Sequence, residues 1–541
     1  MLTPRRALFG ALGLSLCLNI YGITWGLPDA RGWAPDEIFP GQVLEGMKTY
    51  FSFGWHYTYP ALHFFLLAFC YLPWIKLHEL GVLTGDLTFT LFIVGRGLTV
   101  LMSLGSLWFL YECGRRLYNE WVGIFAVLLL ALTPQYVYYS KTVNLDIPCL
   151  FWFLWSMVFY VKILERNRND SQPGDIRDYI GLAVTAAIAV CTKDQAAGMY
   201  LTIPPLLVFS ELLANRGRGE SLALLRTVLS RQNLMAAAVA GLLFVLLQNW
   251  IFNWSGFLKH LDIIMGDESR ARYYMFENNF DGHMGLFAQM LRSYAFCLGL
   301  PALFLCLVGV VMELRERGWR SNTVFFLTSA VVFYVMIIRP ILYNVDRYFL
   351  PIIAFLAIFG GYAAVKLSIA AHAELEADKR TLWKRMTPRL TVLLLGCILG
   401  WSFLRANSIN LQMTNDSRYV AEQWFQQNVP PHSIVYLFSR NYYMPRLHHY
   451  KTKTGHPKLG HLAWMNDEWA VLSAREMARY KPGSKRHVFY KRMLEGSTKC
   501  QMKFRYAAHP SLNVLYPPFD LTNLAKVNPD LWIFYCPRQT A

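Results

Sequence analysis

The stretch Trp33-Ala34-Pro35-Asp36-Glu37 sets two adjacent carboxylates directly after the first apolar segment of the chain, residues 7–27. A carboxylate pair beside a membrane needs either water or a cationic partner, because a dry, unpaired charge is costly. We therefore interpret the rest of the chain as a scaffold that presents this loop. A structural interpretation stays open, in which Asp36 and Glu37 are the N-cap and first turn of a helix over 38–50.

Composition places the chain in the membrane class. The 541 residues are 55% hydrophobic and 16% charged, and the mean hydropathy is +0.27, which is too apolar for a soluble enzyme of several domains. The net charge of +17 does not indicate nucleic-acid binding, because the basic residues are spread among short loops, where they act as topology signals. We expect a polytopic α-helical membrane protein.

About eleven segments are apolar enough to cross a bilayer, which takes roughly 20 residues. They lie at residues 7–27, 88–113, 121–139, 147–164, 179–191, 196–213, 234–254, 286–312, 323–338, 348–369 and 390–404. The first segment follows Arg5-Arg6 as a secretory signal does. It lacks a small-residue cleavage site and many more apolar segments follow, so we predict that it stays as a membrane helix.

One further apolar run, residues 60–75, decides the orientation of everything after it. If this run does not cross the membrane, the arginine-rich loops between the later segments lie on the same side of the membrane as Arg5-Arg6, as the positive-inside rule requires. We therefore predict that it forms juxtamembrane or re-entrant helices on the outer face and that the N-terminus is cytoplasmic. A plain transmembrane helix is the alternative.

After Arg405 the composition becomes that of a soluble domain. Asp416-Ser417 predicts a helix through about residue 428, and strands are predicted over 434–438, 503–507, 513–516 and 531–536. We therefore divide the chain into a membrane domain over 1–405, with its first outer loop over 28–86, and a small extracytoplasmic α/β domain over 406–541. Disulfides form outside the cytoplasm, so Cys500 and Cys536 could pair if this domain is extracytoplasmic. The sequence leaves this pairing open.

The predicted outer turns contain charged residues that a simple helix reversal does not need: Asp146, Lys193, Asp194 and Arg347. Charges at membrane depth indicate function. A carboxylate there can act as a general base toward a hydroxyl or an amine, while Lys and Arg can neutralise a phosphate leaving group. This is the chemistry of sugar transfer from a lipid phosphate.

Each of these charged residues also has a structural interpretation. Asp146 lies two residues before Pro148 and could act only as a helix start. Lys193-Asp194 could be a salt-bridged or solvated turn, and Arg347 could be an interfacial anchor. Arg96, inside an apolar segment, is expected to pair with an acid or a helix carbonyl.

Four motifs, taken in order and with their predicted sides, resemble the GT-C superfamily. They are Asp36-Glu37 in the first outer loop, Asn144-Leu145-Asp146-Ile147-Pro148, Thr192-Lys193-Asp194, and Arg347-Tyr348-Phe349-Leu350-Pro351. The branch that the chain resembles is that of the protein O-mannosyltransferases and the lipid A aminoarabinose transferases.

The resemblance implies an inverting glycosyltransferase that moves a sugar from a polyprenyl-phosphate donor to a protein, lipid or glycan acceptor on the outer face of a membrane, for which we expect the bacterial inner membrane. It implies three catalytic residues: Asp36 as the general base, Glu37 beside it, and Asp146 as the residue that orients or assists that base. It also implies that Lys193 and Arg347 meet the donor phosphate.

The chain departs from the family in one place. Members often have a Lys before a Pro-Pro pair in the outer juxtamembrane region, where this chain reads His56-Tyr57-Thr58-Tyr59-Pro60. His56 is the substitute that we expect at this place, and we also include Tyr59 and Asp194 among the expected substrate-binding residues. No cofactor is firmly implied, and the spacing of His56, His260 and His283 does not resemble a zinc site, so a divalent metal has no support.

Two other classes of function stay open. A transporter or flippase of lipid-linked glycans would also need charges at membrane depth, but such proteins often contain two matching halves and no internal repeat is visible here. A scaffold protein would account for the outer domain but not for the paired acids.

Overall fold

The computed structural model describes residues 3–29, 32–48, 58–169, 175–214, 223–266, 275–318, 321–377, 382–439, 441–456, 458, 460, 465–478, 480–507 and 522–538. The chain divides into two compact units. The membrane unit comprises Met1–Ile23 and Ile38–Ala406, and the tail unit comprises Thr24–Glu37 and Asn407–Ala541. The segment that contains Asp36 and Glu37 therefore folds with the tail and not with its neighbours in sequence.

Helices make up most of the membrane unit. Those in its first part are Pro4–Ile20, Pro40–Lys48, Leu62–Glu79, Leu87–Leu117, Glu120–Ala131, Pro134–Ser140, Asp146–Asn169, Ile176–Thr192, Ala197–Tyr200 and Ile203–Ala214. Those that follow are Ala223–Val228, Arg231–Leu247, Trp254–Met265, Phe280–Leu298, Leu300–Arg317, Asn322–Phe333, Arg339–Ile341, Leu350–Ala377 and Leu382–Thr414. Short 3₁₀ turns at Asp194–Ala196 and Asp346–Phe349 interrupt this pattern.

Six helical segments in the described part of the chain are long and apolar enough to cross a membrane, or eight if each of two bent helix pairs counts as one span. The six are Leu87–Leu117, Asp146–Asn167, Asp194–Leu213, Asn322–Ile341, Asp346–Ala371 and Pro388–Asn428. The bent pairs are Glu120–Ala131 with Pro134–Ser140 and Phe280–Leu298 with Leu300–Arg317. The prediction of a polytopic α-helical membrane protein is confirmed.

The other three predicted spans form shorter helices of 17 residues each, namely Pro4–Ile20, Ile176–Thr192 and Arg231–Leu247. At about 1.5 Å per residue, such a helix is roughly 26 Å long, against a hydrocarbon thickness of about 30 Å. The predicted number of about eleven spans therefore divides into six long helices, two bent pairs and three short helices. The run predicted over 60–75 forms the helix Leu62–Glu79, with Pro73 inside it.

Glycines allow two helix pairs of the membrane unit to approach at backbone distance. A Cβ at Gly309 would lie 1.9 Å from the carbonyl oxygen of Phe359, and one at Gly123 would lie 2.6 Å from that of Tyr111. Neither position can accept a side chain without moving a helix, so small residues set the packing here. The first contact fixes the helix Leu350–Ala377, which directly follows the turn that carries Arg347.

The tail unit contains a five-stranded sheet with the strand order β2-β1-β3-β5-β4. The strands are β1 Ile434–Leu437, β2 Lys451–Thr454, β3 Glu468–Ser473, β4 Gln501–Tyr506 and β5 Leu531–Cys536. β1 pairs in parallel with β2 and β3, whereas β5 pairs antiparallel with β3 and β4. The strands predicted over 434–438, 503–507 and 531–536 are confirmed, the one over 513–516 lies outside the described residues, and β2 and β3 were not predicted.

Helices cover both faces of this sheet. The predicted helix Ser417–Asn428 is confirmed, with Asp416 as its N-cap, and it packs against a cluster that includes Leu531 and Ile533. The helix Lys485–Leu494 packs on the opposite face, where the alternate residues of β5 point. A short helix, Ala474–Ala478, follows β3.

A disulfide joins Cys500, just before β4, to Cys536 at the end of β5. The pairing that the sequence left open is therefore present. It ties the edge strand of the sheet to its neighbour, and it closes a loop with a sequence separation of 36 residues.

Candidate functional site

Asn144, and not Asp146, caps the helix that begins at Asp146. The Oδ1 atom of Asn144 accepts hydrogen bonds from the backbone N–H groups of Asp146 at 2.8 Å and Ile147 at 3.3 Å. Its Nδ2 atom donates to the carbonyl oxygens of Tyr139 at 2.7 Å and Thr142 at 2.8 Å. The interpretation of Asp146 as only a helix cap is therefore wrong, and its carboxylate serves other partners.

The carboxylate of Asp146 lies between two cations. Lys193 Nζ is 2.5 Å from Oδ1, and Arg347 Nη1 is 3.9 Å from Oδ2. The side chains are only 5% (Asp146), 6% (Lys193) and 11% (Arg347) exposed. Both cations also face the ring of Tyr348, with the ammonium nitrogen 5.2 Å and the guanidinium carbon 5.9 Å from its centroid. We call Asp146, Lys193 and Arg347 the acid–cation cluster.

All three members of the acid–cation cluster lie where a helix begins or breaks. Asp146 opens a helix, and Lys193 has an extended backbone between the helix Ile176–Thr192 and a 3₁₀ turn. Arg347 belongs to the 3₁₀ turn that precedes another helix, and its backbone N–H donates to the buried Asp346 at 2.8 Å. Breaks at these points let polar side chains turn toward one another instead of toward lipid.

Asp194 is paired differently from its neighbour Lys193. Its Oδ1 atom lies 3.2 Å from Nε2 of His260, which is buried in the helix Trp254–Met265. The Asp194 side chain is 26% exposed. The Lys193-Asp194 dipeptide is thus part of two separate contacts, and a merely solvated turn is excluded.

Asp36 and Glu37 do not start the helix that follows them. That helix begins at Pro40, so the interpretation of the pair as N-cap and first turn is wrong. Asp36 has a φ of 61°, in the left-handed region that Asp tolerates better than most residues. Its Oδ2 atom accepts a hydrogen bond from Asn523 Nδ2 at 3.4 Å, and Glu37 is fully buried.

The tail holds the segment around Asp36 through aromatic and cationic contacts. The guanidinium carbons of Arg418 and Arg446 lie 4.2 and 4.8 Å from the ring centroid of Trp33, which is 1% exposed. The indole N–H of Trp25 donates to Asp416 at 2.9 Å. Desolvated cation–π contacts of this kind contribute roughly 2 kcal/mol, so the segment is firmly anchored.

The remaining predicted residues have other surroundings. Tyr59 packs against an apolar cluster that includes Val143, while His56 lies outside the described residues. Arg96 donates to the carbonyl oxygen of Ile23 at 2.6 Å. Ile23 follows the helix Pro4–Ile20, so this partner is a carbonyl of the next turn and not the acid or helix carbonyl that was expected. Among the residues that the structure describes, no group of three or more His, Cys, Asp or Glu side chains could hold a metal ion.

Asn144 belongs to one of the motifs named above, but its role as the helix cap was not predicted, and Asn523 was not predicted at all. The signal for Asn144 was present, because an Asn two residues before a helix start often supplies the cap. Nothing in the sequence pointed to Asn523, which is 487 positions from Asp36.

Residues 83–230 match the family model for dolichyl-phosphate-mannose-protein mannosyltransferase. The predicted resemblance to the protein mannosyltransferases is confirmed. The matched segment includes Asp146 and Lys193 but covers a minority of the 541 residues. No curated protein matches the sequence.

Solved structures of membrane glycosyltransferases give weak overall similarity. The oligosaccharyltransferase of Archaeoglobus fulgidus tethered with an acceptor peptide has 10% identity and a TM-score of 0.48, over 88% of this chain and 69% of that chain. ArnT from Cupriavidus metallidurans bound to undecaprenyl phosphate has 12% identity and a TM-score of 0.44, over 97% of both chains. The S. cerevisiae protein O-mannosyltransferase Pmt1-Pmt2 complex bound to the sugar donor has 14% identity and a TM-score of 0.36, over 47% of this chain and 34% of that chain.

Proposed function

We propose that the protein is an inverting membrane glycosyltransferase that moves a sugar from a polyprenyl-phosphate donor to an acceptor, with Asp36 as the general base. The observation that carries this proposal is the acid–cation cluster, in which Asp146 holds Lys193 and Arg347 together in a buried place. Lys and Arg are the side chains that bind phosphate, as a point charge and as a planar fork. Cations held in position before the donor arrives need little reorganisation when it binds.

The match of residues 83–230 to the mannosyltransferase family supports a lipid-phosphate donor, because the family is named for dolichyl-phosphate-mannose. The matched segment contains Asp146 and Lys193, two of the three residues that we place at the phosphate. Asp146 then acts by orienting the two cations.

Asp36 accepts the proton of an acceptor hydroxyl or amine while the acceptor atom forms a bond to the anomeric carbon of the sugar. The bond from that carbon to the phosphate oxygen breaks on the opposite face, so the anomeric configuration inverts. Polyprenyl phosphate leaves with the electron pair, and Lys193 and Arg347 meet its charge.

Transfer from a labelled donor by the purified protein in detergent tests the proposal. Asp36→Asn keeps the shape and removes the proton acceptor, so we expect turnover to fall by about 10² to 10⁴ while donor binding is retained. Glu45→Gln is the control, because this acid is exposed and pairs only locally with Lys48. Near-normal transfer by a folded Asp36→Asn protein would overturn the base assignment, and movement of lipid-linked sugar across vesicles without transfer would favour a flippase.

We also propose that the protein lies in a bacterial inner membrane with a cytoplasmic N-terminus and an extracytoplasmic tail. The Cys500–Cys536 disulfide supports this orientation, because disulfides persist outside the cytoplasm. We expect a C-terminal alkaline phosphatase fusion to be active. A cysteine at Glu79 should react with an impermeant outside reagent and one at Arg116 should not, and the reverse pattern would invert the topology.

A further inference from the structure

We infer that Asn523 is a positioning residue for Asp36. This inference rests on the proposed role of Asp36 as the general base. Asn523 Nδ2 donates to Asp36 Oδ2 at 3.4 Å, and both residues belong to the same compact unit. A donor on one carboxylate oxygen favours the ionised form and restricts rotation of the carboxylate, which are the two properties that a base needs.

The orientation of the Asn523 amide follows from its second partner. Lys526 Nζ donates to Asn523 Oδ1 at 2.7 Å. An ammonium group has only donors, so the atom that it contacts must be the amide oxygen, and the amide nitrogen must then face Asp36. The two residues are three positions apart around the 3₁₀ turn Leu524–Lys526, a spacing that puts their side chains on one side of the turn.

The backbone of Asp36 is restrained independently of its side chain. Its φ of 61° allows few alternatives, and Trp33, three residues earlier, contacts the guanidinium groups of Arg418 and Arg446. Asn523 itself is 7% exposed. The tail therefore restrains the proposed base at both its main chain and its carboxylate, which a hydrogen bond on a mobile surface loop would not do.

Two substitutions of Asn523 separate positioning from a merely structural role. Asn523→Asp puts a second carboxylate beside Asp36, which disfavours the charged form and raises the pKa of the base. Because the base must be ionised to accept a proton, we expect the acidic limb of the kcat profile to move to higher pH. Asn523→Ala should lower kcat by about tenfold, the effect of one lost hydrogen bond to a charged group, with donor affinity unchanged.

A matched control exists in the same unit. Asn466 Oδ1 accepts from Lys499 Nζ at 2.8 Å at an exposed position, so Asn466→Asp and Asn466→Ala should change neither kcat nor the pH profile. If Asn523→Ala does not fold, Lys526→Met tests the same inference, because it removes the group that fixes the amide orientation and should still lower kcat.

Combining variants distinguishes this inference from the proposed function. In an Asp36→Asn background, Asn523→Ala should cause no further loss, since positioning acts through the base. The inference is overturned if folded Asn523→Asp and Asn523→Ala proteins keep the normal kcat and pH profile while Asp36→Asn is inactive. An active Asp36→Asn protein would instead remove the proposed function, and this inference with it.

Discussion

Two buried carboxylates, Asp416 in the tail unit and Asp146 in the membrane unit, are satisfied to different degrees. Asp416 accepts hydrogen bonds from the Trp25 indole at 2.9 Å, from Arg418 Nε at 2.7 Å and from the backbone N–H of Asn528 at 3.0 Å. Its contacts come from three different parts of the tail unit, and it also caps a helix. The Asp416 carboxylate therefore stabilises the fold of the tail unit.

The described contacts of the Asp146 carboxylate are fewer, and one of them is long. Its carboxylate meets Lys193 at 2.5 Å and Arg347 at 3.9 Å, while the helix cap is supplied by Asn144. A separation of 3.9 Å between charged groups is at the limit of an ion pair, and we propose that a phosphate oxygen of the donor binds here. We infer that Asp416, which several protein donors satisfy, serves the fold, and we propose that the looser contact of Asp146 with Arg347 suits a charged ligand.

The largest effect on stability is expected from Asp416→Asn. Asn keeps the helix cap but leaves the buried Arg418 without its charged partner, which typically costs about 3–5 kcal/mol. Thermal unfolding of the purified protein, followed by tryptophan fluorescence, measures this loss. Asp86→Asn is the control, because Asp86 caps a helix at an exposed position and should cost almost nothing. Loss of donor affinity in folded Asp416→Asn protein would break the distinction between the two acids.

Removal of the disulfide should affect only the tail unit. We expect the double change Cys500→Ala and Cys536→Ala to cost about 2–5 kcal/mol of tail stability, and a reductant to have a similar effect. The other eight cysteines are free, so Cys17→Ala serves as the control. Calorimetry with and without reductant tests this expectation, and an equal shift of every unfolding transition would contradict it.

At the acid–cation cluster the expected effect is on binding. Lys193→Ala should weaken binding of polyprenyl phosphate by about 10- to 100-fold, the effect of one lost hydrogen bond between charged groups. Lys193→Arg should lose less, because it keeps the charge. Lys366→Ala is the matched control, since Lys366 forms a 3.1 Å pair with Glu316 at a well-exposed position. Equilibrium binding of labelled polyprenyl phosphate is the measurement, and unchanged affinity in Lys193→Ala would remove the phosphate role.

The smallest effect is expected at Asn144. Asn144→Ala removes the cap beside Asp146, at a cost of about 1 kcal/mol. Asn144→Asp keeps an acceptor oxygen and should cost less. Thermal unfolding compares the two variants, and equal losses would show that the donor contacts of Asn144 outweigh its cap.

The membrane part of the fold could be predicted because each helix is apolar along most of its length and satisfies its own backbone hydrogen bonds. All eleven predicted segments coincide with helices, although three are short. β5 was predicted for a similar local reason, its run of aromatic and branched residues. β2 was missed because it is exposed and polar, so its pairing with β1 depends on backbone hydrogen bonds that leave no pattern in the sequence.

For the site, the sequence alone indicated Asp146, Lys193 and Arg347, because charged residues at a membrane boundary are energetically costly and usually have a function. Only the tertiary structure decided that Asn144 takes the cap so that Asp146 can meet Lys193, and that the segment containing Asp36 folds with the tail. Side-chain type and local spacing set what a residue can do. Which distant residue it meets depends on how the helices and the sheet pack, and the sequence around each residue does not encode that.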